Sequence, residues 1–345
     1  MFCPKCGTEN PAGAKFCKGC GSPLPQSAPA QPGSTLPGAY QAGMQWQAFP
    51  AGVKAASSAP APARRHRWPL AIAFAAIAAV VLAGVMTNRF GLFGLMVKGS
   101  VNDYSWAELK TLSRQITDAS SDEQALSIAE KYHLCTADGR LDGTQTKDVT
   151  LTDGTKTSVA IIGFRHDDKA DGTGKAGITF VFAGRFAQMG MMPVNTNSNY
   201  GGWRGTQARS WLESTGLNEL PDDLKDSIVS VTKQTNNHGE ESASEAVTPT
   251  EESLWLCFYV ELGGNLSNWS TSERETLGKE GSAYKVFTDA FDGGSSVRRT
   301  LLTDAWERTP DPESSYKFMI VDSSGSPNDS YDANGANEIT PGFCI

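Results

Sequence analysis

Four cysteines near the amino terminus have the spacing of a metal site. Cys3 and Cys6 are separated by two residues, and Cys17 and Cys20 repeat that spacing ten residues later. Each pair is followed by a glycine, which can adopt the positive φ that brings backbone N–H groups toward the sulfurs. Four thiolates form the tetrahedral set that zinc prefers and leave no open coordination position. The spacing predicts one structural zinc ion; two disulfides or four free thiols are the alternatives.

The other residues that could do chemistry stand apart from one another in the sequence. His133, His166 and His238 have no metal-ligand or nucleophile spacing with a further donor. Cys135 follows His133 by two residues, a separation at which the two side chains would not share a helix face, so ordinary packing is favoured over a catalytic pair. No phosphate loop, nucleophile elbow or zincin motif is present. The sequence therefore predicts no catalytic or cofactor-binding residues, and it leaves an enzymatic activity open.

Three further features each allow two interpretations. Asp167, Asp168 and Asp171 hint at a calcium loop, but Lys169 stands at an alternate ligand position, which favours a solvated turn. Several tryptophans with arginine neighbours could form a sugar-stacking surface, although a core role is favoured. A disulfide between Cys135 and Cys344 stays open. The tryptophans and arginines are Trp203, Trp211, Trp255, Trp269, Trp306, Arg204, Arg209 and Arg308.

The composition before residue 98 predicts a tether and a membrane anchor. Residues 25–67 are rich in Pro, Ala and Gly and end in a basic flank, so they are expected to be a disordered linker. Residues 68–88 carry no charge and are long enough to cross the roughly 30 Å hydrocarbon core of a bilayer as a transmembrane helix. A cleaved signal peptide and a buried helix are the alternatives. The basic flank predicts a single-pass protein of the cell membrane, with a cytoplasmic amino terminus and an extracytoplasmic C-terminal domain.

The charge distribution also separates the two ends of the chain. The net charge of −8 combines +6 for residues 1–67, +1 for residues 68–97 and −15 for residues 98–345. Phosphate binding requires a positive face, so nucleic acid is not an expected partner of the acidic part.

The acidic part is predicted to be an α+β domain preceded by two helices. In the juxtamembrane region 98–146, capping sequences at Ser105 and Ser121 open two amphipathic helices, which form either a stalk or a packed hairpin. In the domain 147–345, Asp153-Gly154 predicts a β-hairpin, and residues 176–182 read as a strand. Residues 236–253 read as a solvated loop, 254–260 as a buried strand and 318–321 as a short strand.

The amino-terminal sequence MFCPKCGTENPAGAKFCKGCGSPL resembles the zinc ribbon found at the start of many bacterial membrane proteins. The resemblance covers residues 2–24, with both cysteine pairs intact. It implies that zinc replaces the core that so short a segment lacks. Thiolates kept reduced for zinc favour a cytosolic location for this module.

Most of residues 149–345 resembles a domain-of-unknown-function family of surface and membrane proteins in Gram-positive bacteria. The resemblance rests on the blocks IIGFRHDDKADGTGKAGITF, NYGGWRGTQARSWLES, SLWLCFYVELGG and DAWERTPD, and on the ending ITPGFCI. Thr309, Glu338 and Ile339 depart from the family pattern. The family is similar in pattern to C-type-lectin-like and formylglycine-enzyme-like folds, and it transfers no established activity.

Together these features predict a membrane-anchored surface protein with a cytoplasmic structural zinc ribbon. The extracytoplasmic domain is expected to bind an unknown ligand or protein without catalysis, because no catalytic spacing is present. A cell-envelope glycan- or protein-modifying enzyme is one alternative. A transmembrane sensor that relays to a cytosolic partner through the ribbon is the other.

Overall fold

The computed structural model of the chain describes residues 95–239 and 246–345, together with Pro11, Ala14, Lys15 and Lys18. The predicted zinc ribbon, linker and transmembrane helix lie outside the described residues, apart from those four positions.

Two amphipathic helices open the described part of the chain, as predicted. Helix α1, Trp106–Thr117, begins at a capping box in which the Ser105 hydroxyl accepts from the Glu108 amide and the Glu108 carboxylate accepts from the Ser105 amide. Helix α2, Asp122–Lys131, is capped by the Ser121 side chain. The later helices are short: α3 Gln207–Trp211, α4 Leu217–Glu219, α5 Asp222–Lys225, α6 Thr271–Lys279, α7 Lys285–Asp289 and α8 Ser295–Leu301. A π-helical turn at Leu212–Gly216 joins α3 to α4, and 3₁₀ turns lie at Val101–Asp103, Trp203–Gly205 and Leu266–Asn268.

The strands form three sheets. The first has the order β1-β2-β3-β11 and is antiparallel throughout, the second has the order β4-β10-β7-β8-β9, and β5 and β6 form a two-stranded hairpin. In the second sheet β10 runs parallel to β7, so this sheet is mixed. With the helices interspersed among the strands, the domain is of mixed α/β type. The strands are β1 Thr146–Thr150, β2 Lys156–Phe164, β3 Ile178–Phe182, β4 Ala187–Met189, β5 Val231–Asn236, β6 Val247–Glu252, β7 Ala305–Pro310, β8 Lys317–Val321, β9 Asp329–Asp332, β10 Asn337–Ile339 and β11 Gly342–Cys344.

The two helices pack against each other and share one core with the first sheet. Trp106 of α1 meets Phe180 of β3 edge-on, with ring centroids 5.6 Å apart, and Phe180 stacks on Phe343 of β11 at 5.3 Å. Of the two arrangements predicted for the helices, the structure shows the packed pair. Burial of these rings gives the domain a continuous apolar centre, which stabilises it without long regular elements.

Local predictions of strands succeed for one hairpin and fail for another. The hairpin at Asp153-Gly154 is confirmed: β1 and β2 pair up to Thr150 and Lys156, and Gly154 turns with φ +88°. The solvated loop predicted at 236–253 is wrong for its second half, because Val247–Glu252 is strand β6. Residues 254–259 are buried as predicted, but the segment 254–260 contains a single β-bridge, at Trp255, and a turn instead of a strand.

The predicted fold class is wrong in its transmembrane helix. None of the helices among the described residues has the length and apolar character needed to cross a membrane. The longest, Trp106–Thr117, has 12 residues, whereas a span needs about 20. Residues 68–88 themselves lie outside the described residues. The fold class supported for the chain is a zinc ribbon and a mixed α/β domain.

Candidate functional site

Five ionisable or hydroxyl-bearing side chains meet in the interior of the domain. They come from the segment after β2, from β5, from the turns after β6, from the N-cap of α7 and from β7, and each is at most 4% exposed. We refer to them as the buried charge network. Its members are Asp167, Lys233, Glu261, Tyr284 and Arg308.

Lys233 lies at the centre of the buried charge network. Its ammonium group contacts Asp167 Oδ1 and donates to Glu261 Oε1 at 2.8 Å and to the Tyr284 hydroxyl at 2.7 Å. The same group lies 4.4 Å from the centroid of the Trp255 ring. All three ammonium protons therefore have partners, and an aromatic face covers the rest of the charge.

Arg308 holds Glu261 from the other side. Its guanidinium donates to both carboxylate oxygens of Glu261, from Nη1 at 2.5 Å and from Nη2 at 3.0 Å. The remaining donors reach the Leu256 carbonyl at 2.7 Å and the Thr235 hydroxyl at 2.8 Å. Two buried cations thus face two buried carboxylates, and the network is electrically balanced.

The pKa directions agree with charged side chains at Asp167, Lys233 and Glu261. Burial alone would raise the pKa of the Asp167 carboxyl, but Lys233 and His166 beside it hold that pKa well below its usual value. Burial likewise opposes ionisation of Lys233 and Glu261, and their neighbours outweigh it, raising the pKa of Lys233 and lowering that of Glu261. Asp167, Lys233 and Glu261 are therefore all charged in the folded domain at neutral pH.

A Ser–His–Asp sequence of contacts lies at the edge of the network. His166 Nδ1 is 3.3 Å from Asp167 Oδ1, and His166 Nε2 is 3.3 Å from the Ser282 hydroxyl oxygen. The Ser282 carbonyl oxygen is closer to Nε2, at 3.0 Å, and it can only accept. We infer from these partners that a proton on Nε2 binds the carbonyl, which leaves that nitrogen unable to take the hydroxyl proton. The contacts fasten the loop at Ser282 instead of activating a nucleophile.

Glu280 is a buried acid without a countercharge in hydrogen-bonding contact. Its Oε1 accepts from the backbone N–H of Asn236 at 2.5 Å, and its Oε2 has no hydrogen-bond partner among the residues that the structure describes. Burial raises the pKa of this carboxyl to about 8, although the Asn236 amide and Arg308 lower it and Glu261 raises it further. Glu280 is therefore neutral in the folded domain below that pH.

Glu280 gives the folding stability a dependence on pH. Between about pH 5 and pH 8 the folded state keeps a proton that the unfolded state releases, so stability falls as pH rises, by about 1.4 kcal/mol per pH unit. The Glu280→Gln side chain cannot titrate, so this variant should lose the contribution of about 1.4 kcal/mol per pH unit to the slope. Urea unfolding of the wild type and of Glu280→Gln at several values between pH 5 and pH 8 measures the two slopes. Glu251→Gln, at an exposed position, is the control, and equal slopes for Glu280→Gln and the wild type would contradict the assignment.

The tryptophans singled out from the sequence belong mainly to the core. Trp203, Trp255 and Trp306 are at most 2% exposed, and Trp211 and Trp269 are half-buried. The core interpretation is confirmed for the three buried rings. The neighbouring arginines are used internally: Arg204 donates to Pro249 O, Arg209 pairs with Glu252, and Arg308 belongs to the buried charge network.

The three aspartates do not converge on one metal position. Asp167 points into the buried charge network, Asp168 pairs with Lys175 at 3.1 Å, and Asp171 accepts from the Thr173 amide at 2.9 Å. Within residues 95–239 and 246–345, no three His, Cys, Asp or Glu side chains are grouped to hold a metal ion. The turn interpretation is therefore correct for Asp168 and Asp171, whereas Asp167 is buried.

The remaining cysteines and histidines do not form catalytic pairs. His133 Nδ1 lies 2.7 Å from the Lys98 carbonyl oxygen, and burial raises the pKa of the Cys135 thiol to about 12. Cys135, Cys257 and Cys344 are all buried and unpaired, so the Cys135–Cys344 disulfide is not formed. Cys3, Cys6, Cys17 and Cys20 lie outside the described residues, and their zinc assignment stays a prediction.

Exposed tyrosines lie on two adjoining loops and on the neighbouring strand β9, a feature that the sequence analysis missed. We call it the tyrosine face: Tyr200 is 64% exposed, Tyr331 48% and Tyr316 45%, and Val194 beside them is 76% exposed. Hydrogen bonds join these segments: Asn199 N donates to Ser315 O, Ala333 N to Tyr316 O and the side-chain Nδ2 of Asn334 to Val194 O. The only signal in the sequence is tyrosine among Ser, Asn and Gly residues.

The base of the tyrosine face is held by close backbone contact. Gly201 N donates to His238 O at 2.7 Å, and the Tyr200 and His238 rings meet edge-on at 5.8 Å. At Gly239, with φ +76°, a Cβ atom would lie 1.9 Å from Asn199 O, so a larger residue would displace the loop. The loop that carries Tyr200 is thus fixed by packing.

Comparison with known proteins identifies two segments. No curated protein and no solved structure matches the chain. The expected likeness to C-type-lectin-like folds is therefore unsupported and is withdrawn from the fold class. The segment that a family model matches in the folded domain begins at residue 181, within β3, although β1, β2 and both long helices share the same core. Family models match residues 2–24 as a zinc-ribbon domain and residues 181–345 as a domain of unknown function, DUF6273.

Proposed function

We propose that the mixed α/β domain is a non-catalytic binding domain and that the tyrosine face is its ligand surface. The observation that carries the proposal is the contrast between interior and surface. The titratable groups of the buried charge network are neutralised by one another, whereas three large aromatic side chains are exposed on segments that backbone hydrogen bonds join. Exposed apolar surface that is grouped on one part of a domain marks interaction or ligand-binding sites.

The chemistry of the tyrosine face favours a polar ligand. Tyrosine offers a rigid aromatic surface with a hydroxyl at its tip, and Ser, Asn and Gly beside it supply adaptable hydrogen bonds. Asn197, Ser198 and Asn199 precede Tyr200, and Ser314 and Ser315 precede Tyr316. A glycan or a polar peptide segment fits this composition. Nucleic acid does not fit the net charge of −15 of residues 98–345.

A thermal-stability screen tests the binding proposal. The full chain is melted with a panel of cell-envelope glycans and peptides, and a concentration-dependent rise in the midpoint identifies the ligand, because only binding to the folded state stabilises it. Tyr200→Ala with Tyr316→Ala should weaken binding of that ligand by roughly tenfold or more, since aromatic side chains dominate such interfaces.

Phe291→Ala is the matched control for the screen. Phe291 is 97% exposed and belongs to the segment between α7 and α8, outside the tyrosine face. Its variant should bind as the wild type does. Equal loss of affinity in both variants, or undiminished binding by the double tyrosine variant, would refute the tyrosine face as the ligand surface.

We further propose that Cys3, Cys6, Cys17 and Cys20 hold one structural zinc ion. The match of residues 2–24 to a zinc-ribbon domain supports zinc binding by this segment. Four thiolates suit zinc and leave no vacant position for a reacting group. The location of the binding domain outside the cytoplasm stays a prediction.

A further inference from the structure

We propose that Lys233 and Asp167 condense into an amide cross-link inside the domain. The Lys233 amine and the Asp167 carboxyl are in direct contact, and both side chains are 3% exposed. Because the fold already holds the two reacting groups in contact, most of the entropic cost of bringing them together is removed from the reaction barrier. The cross-link would join β5 to the segment that follows β2.

Glu261 is placed to move the protons. Its Oε1 lies 2.8 Å from Lys233 Nζ, and two hydrogen bonds from Arg308 fix its orientation. It can accept a proton from the ammonium, which frees the nitrogen lone pair for attack on the Asp167 carboxyl carbon. It can then return the proton to the departing carboxyl oxygen. Glu261 would thus finish the reaction in the form in which it started.

Two hydroxyl groups are placed to stabilise the charge that develops on the carboxyl. The Tyr284 hydroxyl lies 3.0 Å and 3.2 Å from the two Asp167 oxygens, and the Thr179 hydroxyl donates to Oδ2 at 2.7 Å. Burial and nearby carboxylates raise the pKa of Tyr284 well above its usual value, so the hydroxyl keeps its proton. Donors fixed in this way stabilise a tetrahedral intermediate without reorganising.

The step balances without any further reagent. The ammonium carries three protons: one stays on the amide nitrogen, and two leave with one carboxyl oxygen as water. One C–N bond forms, one C–O bond breaks, and no atom is oxidised or reduced. One cation and one anion become a neutral amide, and the Glu261–Arg308 pair that remains is still balanced.

The surroundings favour the neutral product. Two ions held away from water keep a desolvation cost that a neutral amide largely avoids. The Trp255 ring covers the amine at 4.4 Å, and Trp255 is fully buried, so bulk water is kept from the bond. In an exposed Lys–Asp pair, such as Lys175 with Asp168, hydration of both ions opposes the same reaction.

Intact mass spectrometry of the purified, denatured full chain tests the proposal. The expected mass is that of the sequence less one water, and digestion should yield a branched peptide that joins Lys233 to Asp167. Lys175→Arg changes an exposed pair and should keep the deficit. Glu261→Gln removes the proton carrier and should retain the water in most molecules.

Three results would overturn the cross-link. The first is the full sequence mass in wild-type protein that unfolds cooperatively, which would show an ordinary buried ion pair. The second is a mass deficit that maps to residues other than Lys233 and Asp167. The third is an undiminished deficit in Glu261→Gln. The wild-type measurement decides the question even if Glu261→Gln does not fold.

Discussion

Replacing Arg308 by methionine should destabilise the domain by about 3–5 kcal/mol. The substitution keeps an unbranched apolar stem but removes the guanidinium that pairs with both oxygens of Glu261. The Leu256 carbonyl and the Thr235 hydroxyl lose a partner at the same time. Glu261 is then left as a buried carboxylate without the guanidinium that binds both of its oxygens. Urea unfolding at neutral pH, followed by tryptophan fluorescence, measures the loss.

Arg185→Met is the matched control for Arg308→Met. Arg185 is 59% exposed and pairs with Glu338 at 3.4 Å, so its loss should cost less than about 1 kcal/mol. A loss below about 1 kcal/mol for Arg308→Met as well would mean that the buried charge network adds little to stability.

Cys3→Ser and Cys20→Ser should each abolish zinc binding by the full chain. Structural zinc sites of this size contribute about 10–16 kcal/mol of folding free energy, and a neutral serine hydroxyl does not replace a thiolate. The mixed α/β domain should keep its melting midpoint, because its core is formed by residues after Leu95. Zinc per chain is measured by elemental analysis of the purified protein.

Cys135→Ala is the control for the zinc experiment. Cys135 is a buried, unpaired thiol of the mixed α/β domain, far along the chain from the predicted ribbon. Its variant should keep one zinc per chain. Full zinc content in Cys3→Ser would argue against the proposed ligand set.

The elements that could be predicted are those specified by neighbouring residues. Ser105 and Glu108 define a helix start within one turn, and Asp153-Gly154 defines a hairpin. Strand β6 was missed because its Thr- and Glu-rich sequence resembles a loop, and only pairing with β5 makes it a strand. Residues 254–260 read as a strand, but Trp255 alone among them forms a β-bridge, to Gly342, and the Leu256 carbonyl accepts from the Arg308 side chain.

The candidate sites divide in the same way. The zinc ligands are recognisable because their four positions lie within eighteen residues and repeat one spacing. The buried charge network joins positions from Asp167 to Arg308, and no local pattern marks any of them. The tyrosine face also consists of segments that lie far apart in the sequence and are brought together by the fold. Sites assembled over long sequence separations emerge only from the tertiary structure.

Strand β11 also has a consequence for how a new chain is made. It is the last strand in the sequence, and it pairs with β3, whose residues are synthesised far earlier. While the ribosome makes the intervening segments, the edge of β3 has no partner, and Phe180 lacks the ring that stacks on it. Pairing between strands so far apart in the sequence slows folding. Until it forms, the unpaired backbone groups of β3 can pair with another chain. The edge of β3 that pairs with β11 therefore stays unpaired until β11 has been synthesised.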